Sequence, residues 1–340
     1  MDEIRFAVVG AGTWGRAHAA EFDAHAQSRL VAVCDANLEA AEKVAAQYGA
    51  RAYGSVEALL DGAAFDAAGV ATPDFAHRGP AVALLDAGKH VLLEKPLATT
   101  MDDAKAIVAA AERSGARLMV DFHNRWSPPI NVAKQTIAAG EIGTVWQAYI
   151  RLNNTLRVPT QALSWSARSS ILWFLGSHSV DTLRWLLNDD VVRVYSVARR
   201  GVLESLGIAV DDGYQSILEF AGGATAVMEN HWMAPNTHPN NNDFKINVLG
   251  REGMLDLDLT NHGAVKRFLP QRADIPDVFV KPIVGGRPVG FAHASIRTFV
   301  DCLISGDPFP VSVEDAHKAT AILLAVKSSS ETRTPVVVAY

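Results

Sequence analysis

Cysteine is nearly absent. Cys34 and Cys302 are the only two in 340 residues, which excludes a disulfide framework and leaves no metal-ligand spacing. Both sit among apolar neighbours and read as small core residues, and no metal is expected. No apolar run approaches the ~18 residues needed to span a membrane. The start, Met1-Asp2-Glu3-Ile4-Arg5, carries acids where a secretory signal would have a basic start and an apolar run. Excess charge is also missing: 31 Lys and Arg stand against 37 Asp and Glu, a formal net charge of −6. That gives no electrostatic reason to expect nucleic acid or an anionic membrane as partner. Internal repeats and low-complexity linkers are lacking too. What remains is 49% hydrophobic and 20% charged, an ordinary soluble composition in a chain longer than one core usually grows. The expectation is a two-domain cytoplasmic protein.

Ile4 to Val9 reads as a strand, followed at once by Gly10-Ala11-Gly12-Thr13-Trp14-Gly15 and a helical pattern from about Trp14 to Ala26. Gly10 permits the tight turn, Gly12 lets the backbone approach a pyrophosphate, and Gly15 allows close helix–strand packing. The helix start offers unpaired N–H groups to phosphates. Gly10, Gly12, Thr13, Trp14 and Gly15 are therefore the candidate phosphate contacts. The next strand, Leu30 to Cys34, ends in Asp35, 20 residues beyond Gly15. A carboxylate there would hold both ribose hydroxyls of an adenosine. No Arg follows it to receive a 2′-phosphate, so NAD is favoured and NADP is the lesser alternative.

Further helices are expected at Leu38–Tyr48, after Ser55, before Gly88 and at Asp102–Ser114. They alternate with strands at Phe65–Ala71, Val91–Leu93 and Leu118–Phe122. This is the order of a doubly wound dinucleotide-binding fold. Val91 to Leu93 run into Glu94-Lys95-Pro96. In an open parallel sheet, ligands bind outside the carboxyl ends of the strands, which is where Glu94 and Lys95 fall. Pro96 ends the strand.

Beyond His123-Asn124-Arg125-Trp126 the texture changes. One helix to Ala139 precedes strand-like runs at Val145–Leu152, Val191–Ala198, Tyr214–Phe220, Thr225–His231, Phe244–Leu249, Met254–Leu259 and Ala264–Leu269. Serial strands without intervening helices predict an α+β domain with a large open, mostly antiparallel sheet. Late helices are expected around Ile296–Leu303 and Glu314–Ser328. The division is an α/β Rossmann domain at 1–122 and an α+β substrate and oligomerisation domain at 123–340.

Four features together resemble the Gfo/Idh/MocA oxidoreductases: the glycine fingerprint; Val70-Ala71-Thr72-Pro73 with His77; Glu94-Lys95-Pro96; and Gly176-Ser177-His178-Ser179-Val180-Asp181. Their order and spacing match along essentially the whole chain. The resemblance implies that Thr72, Pro73 and His77 border the cofactor, and that Glu94 and Lys95 approach the nicotinamide ribose and the substrate hydroxyl. It makes Pro96 a candidate for a cis bond, and Asn124 and Arg125 contacts to the nicotinamide end. His178 would be the catalytic histidine and Asp181 a substrate-binding or supporting acid. One departure stands out: family dehydrogenases place an Asp four residues before this histidine, and here the position is Phe174. Trp173 beside it could line a sugar pocket or simply start a buried helix, and His231 is a further substrate-binding candidate. His18 and His90 read as structural.

Oxidising a secondary alcohol needs a base for the hydroxyl proton and a hydride acceptor. The base contributes roughly 10²–10⁴-fold. Imidazoles titrate near neutrality, so His178 suits that role. Lys95 would face the positive nicotinamide, and like charge with desolvation would lower its pKa and make it a base or relay. The resulting expectation is an NAD-dependent sugar, polyol or cyclitol dehydrogenase, with Lys95 carrying more of the proton transfer than His178. It would form a homodimer or homotetramer through the C-terminal sheet. The alternatives are a redox-neutral enzyme that oxidises its sugar only transiently and a dinucleotide-binding sensor.

Overall fold

A computed structural model describes residues 3–260 and 265–340. By internal contacts the chain divides into two units, 1–123 with 279–317, and 124–278 with 318–340.

The first unit begins with strand β1 (Ile4–Val9), helix α1 (Thr13–Ala24), β2 (Ser28–Cys34), α2 (Leu38–Ala45), β3 (Arg51–Tyr53), α3 (Val56–Gly62) and β4 (Ala67–Val70). It continues with α4 (Arg78–Asp86), β5 (His90–Leu93), α5 (Met101–Ser114) and β6 (Leu118–Val120). All six strands run parallel in the order β3-β2-β1-β4-β5-β6. The order reverses between β1 and β4, which makes that gap the topological switch point. Helix limits follow local chemistry. Asn37, Ser55 and Thr100 accept hydrogen bonds from backbone N–H groups at the starts of α2, α3 and α5. Gly115, at φ 67°, ends α5 in the left-handed region. Two strands depart from expectation. β3 is a three-residue edge strand too short to leave a periodic signal, and β6 ends at Val120, although Asp121 N still donates to Leu93 O of β5.

The second unit carries α6 (Pro128–Ala138), β7 (Val145–Asn154), α7 (Ser177–Leu187), β8 (Val191–Arg199), the short α8 (Val202–Ser205), β9 (Gly213–Phe220), β10 (Thr225–His231), β11 (Asn242–Gly250) and β12 (Met254–Asp258). A small separate hairpin follows, β13 (Arg267–Leu269) with β14 (Arg272–Asp274). The strand expected at Ala264–Leu269 thus survives as its last three residues, while Ala264 lies outside the described residues. After the hairpin β15 (Ile283–Val284) with β16 (Arg287–Pro288) come α9 (Phe291–Ser305), α10 (Val313–Thr332) and β17 (Val336–Val337). The large sheet has the order β12-β11-β7-β10-β9-β8-β17. Its pairs are antiparallel except β10 with β7, which is parallel. The meander β8-β9-β10 brings its third strand alongside β7 in the same direction, so the sheet is mixed.

The sequence reading ran the second domain unbroken from 123 to 340. The structure instead returns residues 279–317 to the first unit, where α9 packs on α1. Phe299 meets Phe6 edge-on with ring centroids 6.3 Å apart, and Arg297 Nε donates to buried Glu21 at 2.7 Å. Neither contact has a local signature in the chain.

The glycine turn obeys tight geometry. A Cβ at Gly15 would lie 1.6 Å from Gly10 O, whereas one at Gly12 would meet nothing within 4 Å. Gly15→Ala is therefore expected to push α1 off β1 and lower stability by roughly 1–3 kcal/mol. Gly12→Ala should stay within about 1 kcal/mol of wild type. Urea midpoints of the two variants provide the check; equal midpoints would contradict the packing account.

Candidate cofactor and catalytic site

The β1–α1 turn places its residues for a phosphate. α1 starts at Gly12 with no side-chain cap and no acid in its first turn, which leaves its N–H groups to an anion. Gly10, at φ 101°, passes so close to β4 that a Cβ would lie 2.5 Å from Ala71 O. The open space at Gly12 fits the approach of a pyrophosphate. Asp35 is brought to this turn: its carboxylate accepts from Ala11 N at 2.7 Å and from Asn37 N at 2.8 Å. The Trp14 ring stacks on His123 at 4.8 Å, and Lys281 Nζ lies 4.6 Å from the Trp14 ring centre.

The ends of β4, β5 and β6 gather the polar groups. Thr72 and Pro73 follow β4, and His77 bridges from there to β5, with Nδ1 2.7 Å from Pro96 O and Nε2 3.1 Å from Thr72 O. Both neighbours are acceptors, so a neutral ring donates to only one, and burial pushes the His77 pKa down. His77 thus ties two strand ends together with both ring nitrogens occupied by protein. Lys95 precedes a cis bond to Pro96 and is 7% exposed. Burial lowers its pKa, opposed by Glu94, Asp74 and Asp121.

A buried cluster here was missed from the sequence. His18 of α1 is fully enclosed, with Nε2 3.3 Å from Glu94 Oε1 and 3.8 Å from Asp121 Oδ2. Burial alone would depress its pKa, but the two carboxylates outweigh it and raise it to about 9. Ser295 Oγ donates to Asp121 Oδ1 at 2.5 Å. One signal existed in the chain: Gly69 inside a strand marks a close approach. A Cβ there would come 2.4 Å from His18 Nδ1.

In the second unit Asn124 and Arg125 are buried, and Arg125 meets Asp181 in a bidentate pair, Nε to Oδ2 at 3.0 Å and an outer guanidinium nitrogen to Oδ1 at 2.5 Å. Both oxygens of Asp181 thereby accept from Arg125. His178 lies in the first turn of α7, buried. Leu172 to Gly176 form a π-helical turn just before it. Within that turn Trp173 is buried and Phe174 stays partly exposed. Phe174 packs against Trp165 and Trp232, each ring centre 6.1 Å away.

His231 falls elsewhere. Its neighbour Asn230 donates to Ser179 Oγ of α7 at 3.0 Å. Strand alternation turns His231 to the opposite face, where Glu229 Oε1 lies 3.5 Å from its Nε2. His231 does not share a face with His178, and the expected substrate contact has no support from its placement.

A parallel sheet with an uncapped glycine turn, an Asp after β2 held against that turn and a buried lysine after β5 is the arrangement of a dinucleotide-binding fold. Residues 4–122 match the model of the oxidoreductase family with an NAD-binding Rossmann fold, and residues 130–256 match the GFO/IDH/MocA C-terminal domain. The chain belongs to the Gfo/Idh/MocA oxidoreductase family, and its cofactor is NAD-type. It is 31% identical over 253 residues to an inositol 2-dehydrogenase of Rhizobium meliloti, covering 74% of each chain. An inositol 2-dehydrogenase 1 of Saccharopolyspora erythraea is 29% identical, with 98% of this chain and 96% of that protein covered. The fold matches that of scyllo-inositol dehydrogenase from Lactobacillus casei, solved with NAD(H) and scyllo-inositol, with a TM-score of 0.84, 17% identity and all of both chains covered. Among the described residues no helix is long and apolar enough to cross a membrane.

The His18 cluster carries a pH signature. A folded pKa of about 9 against an ordinary ~6.5 means that the ion pairs contribute fully below pH ~6.5 and are lost as pH rises through about 9. Wild-type stability is expected to fall by on the order of 3 kcal/mol across that window. In His18→Gln the fall should be much smaller, as read from urea titrations at pH 6.5 and 9.5. Parallel slopes in the two proteins would refute the assignment.

Proposed function

We propose that this chain is an NAD-dependent dehydrogenase that oxidises a secondary alcohol of a sugar, polyol or cyclitol, with Lys95 and His178 handling the proton. The observation that carries the reading is Lys95 itself, a buried amine at the carboxyl end of β5, the strand next to β4, with burial lowering its pKa. A lowered pKa raises the share of the neutral amine, the form that can accept a proton from a substrate hydroxyl. NAD, when bound, supplies the hydride acceptor. Gly10, Gly12, Thr13, Trp14 and Gly15 border its phosphates. Asp35 takes its ribose hydroxyls and, as a carboxylate, disfavours the 2′-phosphate of NADP. Thr72, Pro73, Glu94, Asn124 and Arg125 are assigned to its nicotinamide half, with Arg125 oriented by Asp181. His178 serves as the second proton-handling group, and Phe174 offers an aromatic surface to a sugar face. The relatives' names support a cyclitol or sugar as the substrate class.

The test is incubation with NAD⁺ or NADP⁺ and a panel of inositols, polyols and aldoses, following NADH. Net NADH with at least one cyclitol or sugar is expected, with NAD⁺ preferred. Lys95→Met should lower kcat at least a hundredfold and more than His178→Asn does. If His178→Asn abolishes turnover while Lys95→Met spares it, the assignment of Lys95 falls. Tightly retained NAD with no net NADH would favour redox-neutral chemistry.

A second copy of the chain is the proposed cover for the open face of the large sheet. Tyr195, Ile217, Val227 and Tyr149 stand in one row across β8, β9, β10 and β7, and the first three are 38, 47 and 41% exposed. A row of this kind fits a symmetric interface. Sedimentation should show a dimer or tetramer that Ile217→Asp with Val227→Asp dissociates. A wild-type monomer at micromolar concentration would end this proposal.

A further inference from the structure

The proton chemistry assigned to Lys95 leaves one buried group without a task, His18. β5 and β6 are neighbours, and each runs into an acid. Glu94 N donates to Val70 O and Asp121 N to Leu93 O, both at 2.8 Å, so the two acids are fixed by the sheet ladder itself. Their side chains converge on His18, with all three donor atoms within 4.8 Å of one another. Two carboxylates brought together in so dry a place call for a cation beside them. The other charges around Lys95 are Asp74 after β4, His77 on the Pro96 carbonyl, and His123 two residues past Asp121, with Lys281 beyond His123. Burial holds His77 and His123 toward neutrality. His18 is the group placed between the two acids.

Three further features serve that placement. Ser295 takes the second oxygen of Asp121. Gly69 gives the His18 ring its room. Phe22 packs edge-on against the ring with centroids 5.8 Å apart, holding it from below.

We propose that His18 is a positioning residue for Lys95: as an imidazolium between Glu94 and Asp121 it offsets the negative charge of the two acids at the ends of β5 and β6, and so fixes the setting and the charge balance of the Lys95 ammonium. This rests on the reading of Lys95 as a proton carrier. His18 touches neither substrate nor cofactor; it acts through Glu94 and Asp121. Removing its fixed positive charge leaves Lys95 as the remaining cation beside those acids, which strengthens the hold of Lys95 on its proton.

The test reads Lys95 without turnover. Brief acetylation of the full chain by acetic anhydride at pH 8.5, located by peptide mass spectrometry, compares Lys95 with the exposed Lys105 in the same sample. In His18→Gln, the Lys95 rate relative to Lys105 is expected to fall at least tenfold. An unchanged or faster rate overturns the proposal. Should that variant fail to fold, the wild-type protein decides the matter through the ¹⁵N spectrum of its histidine rings at pH 7.5. Both His18 nitrogens should be protonated, and a neutral ring overturns the proposal. One equivalent of zinc or another transition metal bound at this cluster, by elemental analysis, overturns it as well. The two readings fail separately. Absence of NADH with every substrate, alongside slowed acetylation, removes the dehydrogenase reading and leaves the charge device standing. Normal turnover in His18→Gln with unchanged acetylation removes only the device.

Discussion

The carboxyl ends of β4, β5 and β6 carry the polar groups because the strands themselves can carry none. Every residue of β4 and β6 is buried, as are Val91 to Leu93 of β5. A strand covered on both faces admits only apolar or very small side chains. Polar groups are thereby confined to the first residues beyond each strand: Thr72 and Asp74, Glu94 and Lys95, Asp121 and His123. Their mutual spacing is that of neighbouring strands, and side chains such as His77 and His18 then tie the ends together.

Much of this was legible in the chain. The glycine turn, Asp35 and the apolar runs leave local signals, because backbone conformation and strand burial constrain residues close in sequence. The cap at Ser55 was readable for the same reason, since a cap acts across three residues. His18, Asp121 and Ser295 were not readable as a set. They come from a helix, a strand end and a helix some 170 residues later, and nothing local links them. Faces were the other weak point. His231 was assigned to the site by its position at a strand end, yet one residue decides which side of a sheet a group sees. Trp173 is buried and Phe174 partly exposed within a π-helical turn, which rotates side chains away from the α-helical register.

The second unit shows how a resemblance and a structure inform each other. Where related dehydrogenases carry an acid four residues before the histidine, Phe174 here joins Trp165 and Trp232 in an aromatic group. The acid that remains, Asp181, is committed to Arg125. Breaking a buried bidentate pair typically costs 3–5 kcal/mol, so that acid is not free to substitute for the missing one.

The return of residues 279–317 has a consequence for synthesis. The first unit is discontinuous, and its helix α9 leaves the ribosome after nearly all of the second unit. Until then the α1 side of the sheet lacks Phe299 against Phe6, Arg297 against Glu21, and Ser295 against Asp121. The dinucleotide-binding half therefore cannot finish folding first, even though it is made first. Long-range closure of this kind slows folding and leaves apolar surface open meanwhile. A chain cut after residue 123 would keep the whole glycine fingerprint and still lack the helix that closes the core behind it.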